Sequence, residues 1–290
     1  PVFSDSLLQT SRGSQHILTT KAALDTADHE WVSSYKLFRR LISVQASTPK
    51  ISPENTWQGG LEWGLQYRDL APRRHASLRY QLVASPEVAG LAGPSIKNFV
   101  AASLEYDDTT SAENDAVDAS QLTIHGVQMS CRAELATPPG DVGYLKGQTS
   151  ATMHNPIAGS TVALHTSISF GFMQHMDFSG LCHPSAVIPA DKFLLGGTGS
   201  LRGFVSGGIG PRASSGTMGG DALGGNFFYS ANALLSMPSP SLLSQHSELS
   251  GMFRYVRLFG FVNAGTCVDV LGSKSWINVL NSTRTSVGVG

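Results

Sequence analysis

Residues 162–172 read VALHTSISFGF, and their order decides the fold. Val162, Leu164, Ile168, Phe170 and Phe172 share one parity; Ala163, His165, Ser167, Ser169 and Gly171 share the other. Successive side chains of an extended chain point to opposite faces, so a strand sorts these residues into an apolar face and a polar, uncharged one. A helix would scatter the five large apolar groups around its axis. A strand with one greasy face and one wet, weakly charged face suits a wall between lipid and an aqueous lumen.

The same sorting recurs along the chain. In LEWGLQYR (61–68), Leu61, Trp63, Leu65 and Tyr67 oppose Glu62, Gly64, Gln66 and Arg68. Gln128, Ser130, Arg132 and Glu134 oppose Val127, Met129, Cys131, Ala133 and Leu135. Ile96, Val100, Ala102, Leu104 and Tyr106 fall on one face with Asn98, and Phe227, Tyr229, Ala231, Ala233, Leu235 and Met237 on another. Weaker runs lie at 16–24, 30–38, 41–48, 75–83, 144–153 and 283–290. With 2–8 and 252–264 they bring the expectation to about thirteen strands of roughly ten residues, enough to cross a bilayer obliquely. Pro- or Gly-bearing breaks such as TPKISPEN, LAPRR, SPEVAGLAGP, TPPGD and NPIAGS separate the runs.

Composition agrees. The 290 residues carry a formal charge of -1 and only 14% charged side chains, against about 25% in ordinary soluble domains. Mean hydropathy is still close to zero, at -0.02, because polarity comes from Ser, Thr, Gly, Asn and Gln. The near-neutral balance leaves no electrostatic footprint for nucleic acid. No apolar run reaches the ~20 residues of a spanning helix, and residues 147–176, free of charge, are full of Thr, Ser, His, Gly and Pro. Cys131, Cys182 and Cys267 cannot all pair, and their spacing fits no zinc pattern. The sequence opens without Met or signal peptide, so a fragment of a longer chain is expected. Several runs hold too few large aliphatics for a sandwich core, yet their apolar faces are continuous, so a closed antiparallel barrel is the expected all-β architecture.

One connection, about residues 174–225, is far longer than the rest, and loops of that length are usually functional or disordered. Inside it lies FLLGGTGSLRGFVSGGIGPR (193–212), with seven glycines and a single arginine between a leucine and a glycine–aromatic pair. Here the chain resembles the BamA superfamily of barrel-assembly proteins, and within it the central barrels of the mitochondrial sorting and assembly machinery, the SAM complex. Four stretches carry the resemblance. They are Leu195-Gly196-Gly197 with Leu201-Arg202-Gly203-Phe204; Gly208-Ile209-Gly210-Pro211; Gly224-Gly225-Asn226 opening a strand that ends Met237-Pro238; and Phe261-Val262-Asn263-Ala264-Gly265. Ser95-Ile96-Lys97 and the Arg12-Gly13 turn are similar but weaker. Two departures stand out: bacterial members carry an acid where this chain has Asn263, and a second acidic position of the preceding strand is Leu234 here.

The resemblance implies a transmembrane barrel of about sixteen strands when complete, with the long loop folded into the lumen and the arginine touching the inner wall. Residues 1–290 would be part of that barrel, with about two further strands and a soluble N-terminal POTRA domain outside the segment. Arg202 would then need acceptors on the wall. Asn263 is one, luminal Glu134 or backbone carbonyls another, while Gly196, Gly197, Gly208, Gly210 and Pro211 let the loop turn tightly. The implied activity is that of an insertase, not an enzyme, which folds β-barrel precursors into the mitochondrial outer membrane by strand pairing at an open seam. A passive channel or secretion pore, or a scaffold anchoring an inner-membrane organising complex, are the alternatives. The implied partners are unfolded barrel precursors, accessory metaxin-like SAM subunits and the lipid bilayer, without nucleic acid, metal or cofactor. Other motifs fall away. The run 197–202 has Arg where the dinucleotide fingerprint needs its third Gly. Ser33-Ser34-Tyr35-Lys36 fits S-x-x-K but is expected on a strand without companion motifs. His165 reads as a polar wall residue.

Overall fold

A computed structural model of the chain describes residues 2–11, 14–28, 32–48, 57–74, 83–111, 124–157, 162–178, 180–182, 187–215, 219–238, 257–270 and 276–290. Its strands are β1 (Val2–Ser11), β2 (Ser14–Asp28), β3 (Tyr35–Ser47), β4 (Trp57–Pro72), β5 (Gly93–Asp107), β6 (Thr110–Ser111), β7 (Ile124–Thr137), β8 (Tyr144–Ile157), β9 (Val162–His175), β10 (Phe227–Pro238), β11 (Arg257–Val268) and β12 (Arg284–Val289). Two short helices, α1 (Pro86–Ala89) and α2 (Trp276–Asn281), lie in the connections. The strands form one antiparallel sheet in chain order, with only β6 off the path, paired to the start of β7. Among the described residues β1 and β12 are not paired with each other, so the sheet is not closed.

Period-two sorting sets which way each strand faces. Leu61, Ile168 and Val262 are 61%, 62% and 57% exposed, and they share the outer surface with Trp63, Val100, Phe170 and Phe172. Such a band belongs against hydrocarbon rather than water. The buried amide on this face is satisfied internally: Asn98 accepts from Trp63 Nε1 at 3.1 Å and donates to Thr137 Oγ1 and the Pro138 carbonyl, both at 3.1 Å. In lipid an unpaired amide would have no water to turn to.

The inner surface is polar in rows. Register aligns Gln128, Thr152, Ser167, Asn232, Asn263 and Ser286 across β7 to β12. One row away, Ser130, Ser150, Ser169 and Ser230 line up across four strands. The expected luminal residues Gln128, Arg132, Glu134, His165 and Ser167 all stand on this inner face, opposite the apolar set.

Several expectations need correction. The runs 30–38 and 41–48, read as two strands, share one strand, β3, over residues 35–47, while 30–31 lie outside the described residues. Arg39 and Arg40 interrupt the apolar pattern without breaking the backbone, because Arg39 faces inward to pair with Asp25 of β2 while Arg40 points out. Of the run 75–83, residues 75–82 lie outside the described residues, as do 252–256 of the run 252–264. Pro72, Pro94 and Pro156 sit in terminal residues of β4, β5 and β8 rather than between strands, where a missing ladder donor is tolerated. Ser33 and Ser34 precede β3 in a turn instead of lying on a strand. Helix α1 was not anticipated; Ser85 caps it, accepting from the Val88 N–H at 3.3 Å ahead of Pro86 in the first turn.

Candidate functional site

The connection between β9 and β10 folds into the lumen and supplies the apolar interior that the polar wall lacks. Four isolated bridges stack it on itself: Phe193 with Gly225, Leu195 with Ile209, Gly197 with Leu201, and Arg212 with Ala222. Phe193, Leu195, Leu201 and Ile209 pack against Ala136, Tyr144, Met173, Phe228 and Cys267 of the wall, with Phe204 at the margin. A second cluster joins Ile188 to Tyr35, Leu37, Leu70 and Val88. Each such side chain contributes about 1.5–3 kcal/mol on burial, so the two clusters hold the loop over most of its described length.

Glycines make the tight path possible. Gly196 has φ +118°, and a Cβ there would lie 2.4 Å from the Val205 carbonyl oxygen. Gly203 has φ +86° and lies so close to β12 that a Cβ would come within 3.1 Å of Ser286 Cβ. Around them, Ser200 Oγ accepts from the Gly196 N–H at 2.9 Å, and the Gly197 N–H donates to the Phe204 carbonyl at 3.0 Å. Gly208 donates to the Val205 carbonyl at 2.8 Å, Gly210 abuts Cys267, and the Pro211 carbonyl accepts from Leu223 at 3.0 Å.

At the loop tip, Arg202 is held by its backbone. Its carbonyl accepts from Asn263 Nδ2 at 3.1 Å and from Ser286 Oγ at 2.5 Å. The guanidinium lies over the Phe259 ring, 5.4 Å from the centroid, and among the described residues no carboxylate pairs with it. Arg202 and Asn263 therefore meet, but through the main chain. With Thr198, Leu234 and Asn232 they border a cavity of about 160 Å³.

Glu134 is elsewhere. It pairs with Lys97 at 2.7 Å, accepts from Tyr144 Oη at 2.6 Å, and lies 3.6 Å from Arg132, which also reaches Glu62 at 3.1 Å. This cluster serves Asp191, a residue that sequence reasoning missed. One nitrogen of Arg68, Nη1, donates to both Asp191 carboxylate oxygens at 2.7 and 2.6 Å. Lys97 stands 3.8 Å from the same carboxylate, and Lys146 Nζ donates to the Asp191 backbone carbonyl at 2.6 Å. A proline turn presents the acid: the Asp191 N–H donates to the Ile188 carbonyl at 2.9 Å, across Pro189 and Ala190. Burial alone would push the Asp191 carboxyl up, but Arg68, and after it Lys97, hold it below the usual carboxylate range.

Two further anchors were also missed. Asp221 accepts from Ser34 Oγ at 2.6 Å and from the Ser85 N–H at 2.9 Å, while Ser33 Oγ donates to the Ala222 carbonyl at 2.7 Å. Arg212 donates to the carbonyls of Gly220 at 2.7 Å and Gly207 at 3.0 Å, tying the loop to itself. Isolated loop acids carry no local signal, but the inward parity of Arg68 and Lys97 was readable and demanded counter-charges. His165 lies on the wall as expected, its Nδ1 2.6 Å from His154 Nδ1 and its Nε2 3.3 Å from Ser236 Oγ. No group of three or more metal-ligating side chains converges among the described residues.

A profile of the Omp85 superfamily domain matches residues 8–290. The chain belongs to the Omp85 superfamily. A SAM50-like protein of Schizosaccharomyces pombe is 28% identical over 259 residues, covering 83% of this Omp85 chain and 48% of the relative. A sorting and assembly machinery component 50 homolog of Bos taurus is 28% identical over 270 residues, covering 91% and 50% respectively. The chain thus spans about half the length of these curated relatives. The crystal structure of BamA from Haemophilus ducreyi lacking POTRA domains 1-3 superposes with a TM-score of 0.71 over 99% of this chain and 54% of that one, at 19% identity. This Omp85 barrel thus shares its fold with BamA, inward loop included in the aligned span.

Proposed function

We propose that the protein folds and inserts β-barrel precursors into the mitochondrial outer membrane, as an integral barrel and without a chemical step. The observation that carries this reading is the inward loop of an Omp85 barrel, with Leu201-Arg202-Gly203-Phe204 at its tip seated on β11 and β12. The tip's backbone is fixed by Asn263 and Ser286, and among the described residues no carboxylate pairs with the Arg202 side chain, which makes it available to an incoming chain. Insertion by strand pairing at a seam keeps the precursor's amides bonded throughout, where each bare amide in hydrocarbon would cost several kcal/mol. The partners of this reading are unfolded barrel precursors and accessory SAM subunits of the metaxin kind. A passive pore is the lesser reading, because two packed clusters join loop and wall across the lumen. A purely scaffolding role for an inner-membrane organising complex would leave the loop tip without a task.

The test is assembly of a radiolabelled barrel precursor into isolated mitochondria. Depletion of the protein is expected to leave precursors unassembled, and normal assembly after depletion would sink the reading. Arg202→Ala is expected to slow assembly while the barrel stays folded, with Arg202→Lys rescuing only in part, because an ammonium cannot reproduce the planar fork. Equal rates for wild type and Arg202→Ala would remove the tip from the mechanism.

A further inference from the structure

The wall beneath Asp191 has more binding capacity than Asp191 uses. Arg68 is 1% exposed, and only its Nη1 is engaged by the loop carboxylate; Nε and Nη2 have no protein partner among the described residues. Lys97 and Lys146 converge on the same point, one 3.8 Å from the carboxylate and the other 2.6 Å from the backbone carbonyl. Against these three cations the wall itself sets one directly paired acid, Glu134 on Lys97, giving 3 − 1 = +2 without the loop and +1 with Asp191 seated. Arg132 and Glu62 beside them cancel. A buried cationic cluster of that kind is a receptor for an oxyanion, and its chemistry is already displayed by the residue in it.

We propose that Arg68, Lys97 and Lys146 form a carboxylate-binding site on the luminal wall, that Asp191 is its resident ligand, and that an acidic side chain of a polypeptide entering the lumen takes the site when the loop lifts. A polypeptide is the fitting source because the present occupant is one: a short Pro turn delivers the carboxylate edge-on while Lys146 reads the main-chain carbonyl next to it. A free anion would leave Lys146 without that carbonyl. The site lies on β4, β5 and β8, away from the tip contacts on β11 and β12. The carboxylate site rests on the fold and the ion cluster alone, and its use by an entering polypeptide rests on the insertase reading.

The experiment uses the full-length protein in detergent, with the half-time of protease cleavage within the loop as readout. Asp191→Ala is expected to speed cleavage roughly tenfold or more, since it leaves buried cations without their partner. Formate, whose three heavy atoms match the carboxylate removed, is expected to restore most of the protection, whereas chloride at equal ionic strength is not. Asp191→Asn fills that space without charge and is expected to be loosened but insensitive to formate. Formate acting no better than chloride on Asp191→Ala, or Asp191→Asn resisting protease like wild type, would overturn the site. In a second arm, a labelled octapeptide bearing one Asp is expected to bind Asp191→Ala about tenfold more tightly than wild type, because the resident competitor is gone. Its Asn counterpart is expected to distinguish the two proteins not at all. Equal binding of the Asp peptide to both proteins would overturn the claim that an incoming chain can use the site.

Discussion

Arg202 is bound by the atom that mutation to any other residue leaves in place. Its carbonyl, not its guanidinium, meets the wall. Arg202→Ala forfeits one cation–π contact with Phe259, about 0.5–1 kcal/mol at a half-exposed site. Asn263→Leu removes a donor from that carbonyl and leaves a luminal row without one of its members, at about 1–3 kcal/mol. Loop protection measured by limited proteolysis should therefore fall more in Asn263→Leu than in Arg202→Ala; the opposite order would return the anchoring role to the guanidinium. Gly203→Val is expected to be worse than either, because φ +86° is strained for a β-branched residue and its Cβ would press on Ser286. Cross-linking between cysteines introduced at 202 and 286 should drop in that variant.

Asp191 gives the same loop an acid limit. Its folded-state pKa lies below the unfolded value of about 4. A depressed carboxyl contributes stability that is fully present above the unfolded pKa and is lost as pH falls through the folded one. Loop protection should hold from neutral pH down to about pH 4 and fail only beneath it, with no such transition in Asp191→Asn. A loss of protection between pH 5 and 7 in wild type would assign the docking to another group, such as a histidine.

At the scale of elements, alternation was the readable signal, and it settled which face of each strand meets lipid. The outward set from Leu61 to Val262 follows from parity alone, because a sheet has no other way to separate greasy from wet. Ile168→Arg is accordingly expected to destabilise the barrel by about 2–4 kcal/mol in a lipid refolding titration, while Ser169→Arg, one residue away but luminal, should cost far less. Equal costs would place both side chains in one environment. Strand ends were less legible: β3 runs through an Arg-Arg pair that breaks hydrophobic periodicity, since one arginine finds Asp25 inside and the other points out. The tip of the loop was legible through its resemblance to a family. Its principal anchors were not, because Asp191, Asp221 and Arg212 owe their roles to partners far away in sequence, and a lone loop acid looks the same whether it is solvated or buried.

At the scale of the whole molecule, the loop touches opposite parts of one sheet. Asp191 and Asp221 engage β4, the turn before β3 and the cap of α1, while the Arg202 carbonyl reaches β11 and β12. Those strands lie six or more places apart in the order β3-β4-β5-β7-β8-β9-β10-β11-β12 and share no ladder. A sheet of this kind resists stretching along its hydrogen bonds but bends easily across them, so its ladders alone leave its curvature soft. The loop acts as a spoke in a hoop. It fixes the distance between far walls by a strut through the centre, and the bore of the barrel becomes a property of the connection 176–226 rather than of the ladders around it. Lengthening that strut by even one residue between Asp191 and Arg202 would retune the width of the whole wall.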